Sequence, residues 1–376
     1  MKIPFNKPYF TGREAYHVAA AGATGKISGN GIFTGKCHSF FSQRYGFGKV
    51  LLTTSCTDAL EMTALLARIE PGDEVIMPSF TFVSTANAFV LRGAKIVFAD
   101  SSAENPNIDV NTIESLITSR TKAIVVVHYA GIACDMDKVM EIATQHKLVV
   151  IEDAAHAIDS YYKGRALGSI GNMAAFSFHE TKNISCGEGG MLVVNDLDLA
   201  PRAEIIWEKG TNRAAFYRGE VDKYGWVDVG SSFLPSDLAA AYLLGQLDML
   251  DQIQKKRKAV FDSYQNSLDI LQKSGDLKLP LIPHYASQNG HLFYLITNTP
   301  QQRDKLIHHL NQKGIQAVFH YLPLHQSQFY KDKYSGSPLP EAERYAACLL
   351  RLPFFYELTE DEIGYITDEV FLFYRG

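Results

Sequence analysis

The chain has 376 residues, of which 46% are hydrophobic and 20% are charged. These proportions are typical of a folded protein and exclude a disordered chain. There are 36 Lys and Arg residues and 41 Asp and Glu residues, which gives a net charge of −5. Because the chain is acidic and has no basic block, we expect it to bind neither nucleic acid nor a membrane surface.

The cysteines and the N-terminus give further expectations. The five cysteines are widely spaced and form no Cys-x-x-Cys pair, so we predict neither a disulfide framework nor a metal site. The N-terminus lacks the pattern of a secretory signal, and no apolar run is long enough to cross a bilayer. We therefore expect a cytoplasmic protein.

Short apolar segments alternate with helical patterns from about residue 50 to residue 151. The pattern predicts strands at 50–52, 74–77, 95–99, 122–127 and 148–151, and helices at 59–69, 81–91, 110–118 and 136–146. Apolar strands that alternate with helices are typical of a mainly parallel sheet with helices on both faces.

The pattern changes after residue 151. It predicts strands at 173–178, 190–194 and 291–296, one long helical stretch at 237–267, and a helix at 302–313. We interpret the chain as a large domain at 1–245, including the N-terminal segment, and a smaller C-terminal α/β domain at 246–376.

Three segments carry residues suited to chemistry. Small hydroxylated residues at 53–57 lie at a predicted helix start. The free backbone N–H groups there could bind a phosphate, or the hydroxylated side chains could simply cap the helix. Asp153 follows a predicted strand and faces the ligand crevice or solvent. Lys182 lies in a loop before a Gly-rich segment at 187–190. It is either a lysine that forms a Schiff base or an ordinary surface lysine.

The three segments together match the needs of a pyridoxal phosphate enzyme. The helix start would hold the phosphate, Asp153 would keep the pyridine nitrogen protonated, and Lys182 would hold the aldehyde. Phe82, at the end of another predicted strand, is a candidate for stacking on the ring.

The chain resembles the sugar aminotransferases of fold type I, which act on nucleotide-linked keto sugars. The resemblance is carried by six ordered segments at 71–89, 93–100, 127–137, 151–157, 164–171 and 176–190. It implies pyridoxal 5'-phosphate as cofactor and a fold type I architecture. It also implies a homodimer with two active sites at the interface.

The resemblance also implies roles for individual residues. Lys182 would hold the cofactor and move the proton, Asp153 would pair with the ring nitrogen, and Phe82 would stack on the ring. The residues expected at the phosphate are Thr57, Asp58 and Ser177. His156 stands where many members have Gln, beside the phenolic oxygen of the cofactor.

One position departs from the family pattern. Many members have an Asn before the helix that starts near Asp237, and that Asn reaches the phosphate in the partner subunit. Here Leu234 occupies the position, and Ser231 or Ser232 could substitute.

The remaining candidates are less specific. Arg213, Arg218, Tyr321 and His325 could contact the sugar nucleotide, and a structural role is equally open for each. His128 is interpreted as a buried core histidine. Gly29–Gly35 resembles a dinucleotide fingerprint, but no strand precedes it, and we interpret it as a flexible loop.

Three stretches, at 72–98, 176–183 and 318–325, are most similar to members that convert TDP-4-keto-6-deoxy-D-glucose and L-glutamate into TDP-4-amino-4,6-dideoxy-D-galactose. That product is used for surface polysaccharides. The alternatives are amination to the gluco epimer, amination at C3, and a sugar dehydratase, which Lys182 disfavours because dehydratases have His there. A non-catalytic regulator or a nicotinamide-binding protein is a further alternative.

Overall fold

A computed structural model describes residues 1–375 and contains a seven-stranded sheet at its centre. The strands have the order β1-β9-β8-β5-β4-β2-β3, and within this sheet β9 alone runs antiparallel to its neighbours. Helices cover both faces, so the predicted mainly parallel sheet with helices on both faces is confirmed.

The strands have the following bounds: β1 Lys49–Thr53, β2 Glu74–Pro78, β3 Lys95–Ala99, β4 Thr121–Val127, β5 Val149–Asp153, β6 Tyr161–Tyr162, β7 Arg165–Ala166, β8 Met173–Ser177, β9 Gly190–Val194, β10 Leu277–Lys278, β11 Tyr294–Thr297, β12 Val318–Phe319 and β13 Leu349–Arg351.

The helices have the following bounds: α1 Arg13–Ala23, α2 Ile32–Tyr45, α3 Cys56–Leu66, α4 Val83–Val90, α5 Val110–Ile113, α6 Met136–His146, α7 Ala200–Trp207, α8 Arg213–Tyr217, α9 Asp237–Leu247, α10 Leu250–Lys273, α11 Pro300–Gln312, α12 Pro340–Cys348 and α13 Glu360–Arg375. Short 3₁₀ turns lie at Glu114–Leu116, Tyr129–Gly131, Leu197–Leu199 and Leu324–Gln326.

A second, antiparallel sheet lies in the C-terminal part of the chain, with the order β10-β11-β13-β12. One hydrophobic cluster covers this sheet with residues from Val260 to Val370, and it also contains Ile3. Leu250 and Ile253 at the start of α10 belong instead to the core of the large sheet. Since α10 contributes to both cores, the domain boundary near residue 245 stays a prediction.

The predicted helix at 237–267 is wrong in its continuity. It is two helices, α9 and α10, separated at Asp248 and Met249, where Met249 has φ −113° and ψ 8°. Helix α9 is buried over most of its surface, whereas α10 is amphipathic. Because the helical hydrophobic pattern continues across the break, the sequence does not indicate that the two helices bury different faces.

The flexible loop expected at Gly29–Gly35 is also wrong for its second half. Helix α2 starts at Ile32 with Gly31 as N-cap. The buried carboxylate of Asp237 accepts hydrogen bonds from the amides of Phe33 at 3.2 Å and Thr34 at 2.8 Å. A carboxylate at a helix start satisfies free amides and interacts well with the helix dipole, so a residue distant in sequence provides the cap.

Across the described residues, no helix combines the length and the hydrophobicity that a bilayer crossing requires. All five cysteine thiols are free.

Candidate active site

The site lies at the carboxyl ends of the parallel strands. Asp153 is the last residue of β5, Ser177 is the last residue of the adjacent β8, and β1 leads into the start of α3. Carboxyl ends of parallel strands meet at one edge of a sheet, where α/β proteins bind ligands. Residues expected to act together are therefore gathered there by the topology.

The start of α3 offers free backbone donors. Ser55 is the N-cap and its hydroxyl accepts from the amide of Asp58 at 3.0 Å, while the hydroxyl of Thr54 donates to the Asp58 carboxylate. Within residues 1–375, the amides of Cys56 and Thr57 donate to no protein atom. A phosphate fits this helix start through those two amides. The amide of Asp58 is already used in the cap.

Gly190 allows β9 to approach this helix start. A Cβ atom placed on Gly190 would lie 2.3 Å from the carbonyl carbon of Ser55 and 2.4 Å from the amide nitrogen of Cys56. The strand partner of Gly190 is Ser177. Only a glycine permits this contact, which brings Ser177 beside the proposed phosphate position.

The first turn of α4 connects the helix start to Asp153. The Thr57 hydroxyl donates to the Ser84 hydroxyl at 2.8 Å, and the Thr85 hydroxyl donates to Oδ2 of Asp153 at 2.7 Å. Phe82 is the N-cap of α4, and its ring is 54% exposed. One turn thus positions the proposed ring-stacking residue together with the carboxylate and the helix start.

Asp153 is buried, and its carboxylate has two hydrogen bonds, from Thr85 and from the amide of Ala155 at 3.2 Å. Burial raises the pKa of Asp153, while these hydrogen bonds and the positive charge of Lys182 oppose the increase. A buried carboxylate gains from a cationic partner. A protonated pyridine nitrogen is such a partner.

Lys182 lies in the loop between β8 and β9. Its amide donates to the carbonyl of His179 at 2.9 Å, and the loop is closed by a hydrogen bond from the amide of Phe178 to the carbonyl of Gly189 at 2.8 Å. Burial lowers the pKa of Lys182 to about 8, although Cys56 and Asp153 oppose this change. The neutral, nucleophilic form of the side chain is therefore more accessible than in an exposed lysine.

His156 has a defined tautomer in this structure. Its Nδ1 accepts from the amide of Ala130 at 3.2 Å, so the ring proton is assigned to Nε2. Burial lowers the pKa of His156 well below its usual value, and the charges of Lys182 and Arg351 add to the effect. A neutral imidazole that donates from Nε2 suits a hydrogen bond to a phenolic oxygen.

The amide that fixes His156 belongs to a strained turn. Ala130 has φ 57° and ψ 17°, in the left-handed region that a residue with a side chain rarely occupies. Such conformations are found at functional sites, where the surrounding structure imposes them.

Several buried polar residues that contact the expected site residues were not predicted from the sequence. The His291 ring stacks on His156 at 4.1 Å, and its Nδ1 is hydrogen-bonded to the side chain of Asn183 at 2.7 Å. Nδ1 of His320 is hydrogen-bonded to the Tyr129 hydroxyl at 2.8 Å. Thr85 and Asn183 lie within the segments at 71–89 and 176–190 that carry the family resemblance, and Asn183 directly follows Lys182, so both could have been identified from the sequence. No such pattern marks His291.

The four substrate candidates lie in different surroundings. Tyr321 contacts the site, since its ring lies 6.1 Å from that of Phe82 and 6.2 Å from that of Tyr129. His325 is buried, with Nδ1 bonded to Ser79 at 2.7 Å and Nε2 to Glu343 at 3.2 Å. Both of its ring nitrogens thus have protein partners, which favours the structural alternative for His325.

The other two candidates lie on the segment after α7. Arg218 forms ion pairs with Glu204 at 2.9 Å and Glu220 at 2.7 Å, and Arg213 bonds to the hydroxyl of Tyr217 at 3.0 Å. Within the single chain, no described hydrogen bond joins either arginine to the residues around Lys182.

Two other expectations concern residues beside the site. His128 is fully buried and its Nε2 is paired with Glu152 at 2.9 Å, as a core histidine. Leu234 packs against Gly29, while Ser231 and Ser232 are exposed.

Comparison with known proteins identifies the family. Residues 11–371 match the DegT/DnrJ/EryC1/StrS aminotransferase family. The chain belongs to this family. The expected enzyme class is confirmed: the protein is an aminotransferase of the sugar aminotransferase family, with pyridoxal phosphate as its cofactor.

Individual relatives agree with this assignment. The chain is 33% identical over 377 residues to the spore coat polysaccharide biosynthesis protein SpsC of Bacillus subtilis, covering 98% of this chain and 96% of SpsC.

Two solved structures resemble the chain over its whole length. The putative sugar aminotransferase Spr1654 of Streptococcus pneumoniae, in its PMP form, is 26% identical with a TM-score of 0.92, covering 100% of this chain and 99% of Spr1654. PseC of Helicobacter pylori, an aminotransferase involved in the biosynthesis of pseudoaminic acid, is 25% identical with a TM-score of 0.90, covering 100% of both chains.

Proposed function

We propose that this aminotransferase moves the amino group of L-glutamate to C4 of TDP-4-keto-6-deoxy-D-glucose. The product is TDP-4-amino-4,6-dideoxy-D-galactose, a precursor for surface polysaccharides. The observation that supports transamination is the placement of Lys182, with its lowered pKa, near Asp153 and His156 at one sheet edge. The choice of this sugar rests on the resemblance of the stretches at 72–98, 176–183 and 318–325. The roles of SpsC in spore coat polysaccharide biosynthesis and of PseC in pseudoaminic acid biosynthesis support a sugar substrate.

The residues of the chain divide the work of holding the cofactor. The amides of Cys56 and Thr57 and the hydroxyl of Ser177 would bind the phosphate. Phe82 would stack on the ring, and Asp58 supports the helix start. The Asp153 carboxylate would keep the ring nitrogen protonated, and Nε2 of His156 would donate to the phenolic oxygen. Pyridoxal phosphate, when bound, supplies an aldehyde that condenses with amines and a ring that accepts electrons.

Lys182 has two tasks in this proposal. Its Nζ holds the cofactor aldehyde at rest. The same Nζ would also move protons during turnover, taking one from the carbon of the amino donor and delivering one to the sugar carbon. A pKa near 8 suits both directions, because a proton carrier is most effective when its pKa lies near the working pH.

Binding energy from the nucleotide places the keto carbon of the sugar. The reaction occurs at one carbon, while pyrophosphate and base offer most of the contact surface. Tyr321 is the candidate contact inside the chain. Arg213 and Arg218 are the candidates on the segment after α7, where they would reach a partner's site.

We further propose a homodimer with two sites at the interface. The segment 217–229 exposes several large apolar side chains: Tyr217, Tyr224, Trp226, Val227 and Val229. Exposed apolar groups concentrated in one segment are typical of a contact surface. The same segment follows Arg213 and carries Arg218, so a dimer would combine the apolar contact with the two cations.

The alternatives are the gluco epimer and a 3-amino product. The orientation of the sugar over the cofactor ring decides which carbon is aminated and with which stereochemistry. Product analysis with the purified protein, TDP-4-keto-6-deoxy-D-glucose and L-glutamate tests the proposal. We expect the 4-amino galacto sugar by nuclear magnetic resonance, and no reaction with the free sugar. Exclusive amination at C3 would contradict the substrate assignment and leave the enzyme class unchanged.

A further inference from the structure

His291 is a buried histidine that lies face to face with His156. The two ring centroids are 4.1 Å apart, and the ring planes differ by 23°. The terminal torsion of a histidine side chain is broad, so a flat neighbour on the ring face limits its rotation. Tyr129 adds an edge contact, with its ring centroid 5.9 Å from that of His156. The stack with His291 therefore sets the plane in which the ring nitrogens of His156 lie.

The ring of His291 is held by the side chain of Asn183. Nδ2 of Asn183 donates to Oε1 of Gln254 and to the carbonyl of Asn289, both at 2.9 Å. These two bonds identify Oδ1 of Asn183 as the acceptor of the 2.7 Å bond with Nδ1 of His291. The proton of His291 is thus assigned to Nδ1, whereas that of His156 is assigned to Nε2.

The backbone of His291 is fixed as well. The buried guanidinium of Arg257, in α10, donates to the carbonyls of Gly290 and His291, both at 2.8 Å. Gly290 has φ 59°, and a Cβ atom there would lie 2.6 Å from the carbonyl carbon of Arg257. Because α10 approaches this segment so closely and binds both carbonyls, His291 cannot shift without breaking buried hydrogen bonds.

Asn289 joins the backbone of His156 to the lysine loop. Its Nδ2 donates to the carbonyls of His156 at 2.7 Å and Ile158 at 2.8 Å. Its own carbonyl accepts from Asn183, which directly follows Lys182. The position of His156 relative to this loop is therefore fixed both through its ring and through its backbone.

We propose that His291 is a positioning residue that orients the imidazole of His156 toward the phenolic oxygen of the cofactor. The assignment rests on the contact proposed for His156 and not on the identity of the sugar. Nε2 of His156 is the donor in that contact, and a hydrogen bond weakens steeply when its donor turns away from the acceptor. The stack restrains this rotation, and the bond to Asn183 restrains the stack. His291 therefore acts on the cofactor through His156.

A double-mutant cycle tests whether His291 acts through His156. The four proteins are wild type, His291→Leu, His156→Gln and the variant with both changes, and absorbance titration of the cofactor-free chain gives the affinity for pyridoxal 5'-phosphate. We expect His291→Leu to weaken binding by about 3- to 10-fold, the effect of one poorly aligned hydrogen bond. In the His156→Gln background the same change should alter the affinity by less than about 2-fold, because a glutamine amide donates without a ring to be oriented.

Two variants serve as controls. His291→Phe keeps an aromatic face against His156 and loses the bond to Asn183. It should bind the cofactor within about 3-fold of wild type, while its melting temperature falls. His284→Leu removes an exposed histidine from the same segment between β10 and β11 and should match wild type in both measurements. An affinity as low in His291→Phe as in His291→Leu would show that the stack does not orient His156, and would overturn the inference.

Nitrogen NMR of the wild-type chain, labelled at histidine and free of cofactor, needs no folded variant of His291. We expect the proton of His291 on Nδ1 and that of His156 on Nε2, because the hydrogen bonds of the fold impose both tautomers. The His156→Gln variant identifies the signals of His156 by their loss. A proton on Nδ1 of His156 would take the donor away from the cofactor side and would overturn the inference.

The outcomes also separate this inference from the proposed function. Equal loss of affinity from His291→Leu in both backgrounds would overturn it, because His291 would then support the fold alone. His156→Leu tests the contact itself: an unchanged affinity and an unchanged visible absorption band of the bound cofactor would end the role of His291 with it. If the cycle gives the expected result but wild type does not aminate the 4-keto sugar, the substrate assignment fails and the role of His291 stands.

Discussion

Lys182 titrates in a range that can be measured. Its pKa of about 8 results from burial and from the charge of Arg351, against the opposing effects of Cys56 and Asp153. A lysine with a lowered pKa is increasingly neutral as the pH rises through that value. We therefore expect the rate at which cofactor-free protein attaches pyridoxal phosphate to rise with pH, with a midpoint near 8. Rapid-mixing absorbance measures this rate.

Two variants control this prediction. Lys182→Ala should lose the attachment, and Arg351→Gln should shift the midpoint upward, since a nearby positive charge is removed. A wild-type midpoint near 10, as for an exposed lysine, would show that the folded environment leaves Lys182 unperturbed.

At the residue scale, the sequence predicts the residues that carry the chemistry better than the residues that hold them in position. Lys182 and Asp153 stand at a loop and at a strand end, where local pattern predicts exposure to a ligand. The partners that fix their neighbours come from distant segments: Asn183 meets His291, and His156 accepts from Ala130. No spacing rule links such positions, because the fold alone brings them together.

At the scale of elements, the contact between β9 and the start of α3 is the critical one. An added methyl at Gly190 would meet backbone atoms of Ser55 and Cys56, which cannot move aside as a flexible side chain does. We expect Gly190→Ala to lower the free energy of unfolding by about 1–3 kcal/mol and to weaken cofactor binding. Urea unfolding and fluorescence titration measure the two effects.

Gly364→Ala is the matched control. Gly364 lies in α13 with no atom within 4 Å of an added Cβ, and alanine in a helix interior is favoured by about 0.5–1 kcal/mol. We expect this variant to be slightly more stable and to bind cofactor as wild type does. Equal behaviour of the two variants would mean that the close approach at Gly190 has no role.

Element prediction succeeded where one period dominates a segment. The predicted bounds of β3, β9 and α6 agree with the structure because a short apolar run or a helical stripe is bounded there by polar or turn-forming residues. It failed at 248–249, where two helices with different buried faces share one continuous helical pattern. It also failed at the start of α2, whose cap is Asp237.

At the scale of the whole molecule, we expect the assembly to depend on the segment 217–229. Trp226 is 86% exposed in the single chain, and a charge there would be buried in a dimer at high cost. Light scattering should give the mass of two subunits for wild type and of one for Trp226→Asp. Activity should fall with the loss of the dimer.

Phe329→Asp is the control, since Phe329 is also exposed but lies far along the chain, after the Leu324–Gln326 turn. It should keep the mass of two subunits. A monomeric wild type with full turnover would contradict both the dimer and the shared site.

The strand order of the large sheet has a consequence for the synthesis of the protein on the ribosome. Strand β1 lies at an edge and pairs with β9 alone, Lys49 opposite Val194. A growing polypeptide on the ribosome therefore exposes the apolar β1 until more than half of the chain has been made, and Ile3 must wait longer still for Ile315. Contacts between such distant segments slow folding, and an unpaired apolar strand edge is prone to aggregation in the meantime. High yields of this enzyme should accordingly depend on slow synthesis at low temperature or on abundant chaperones.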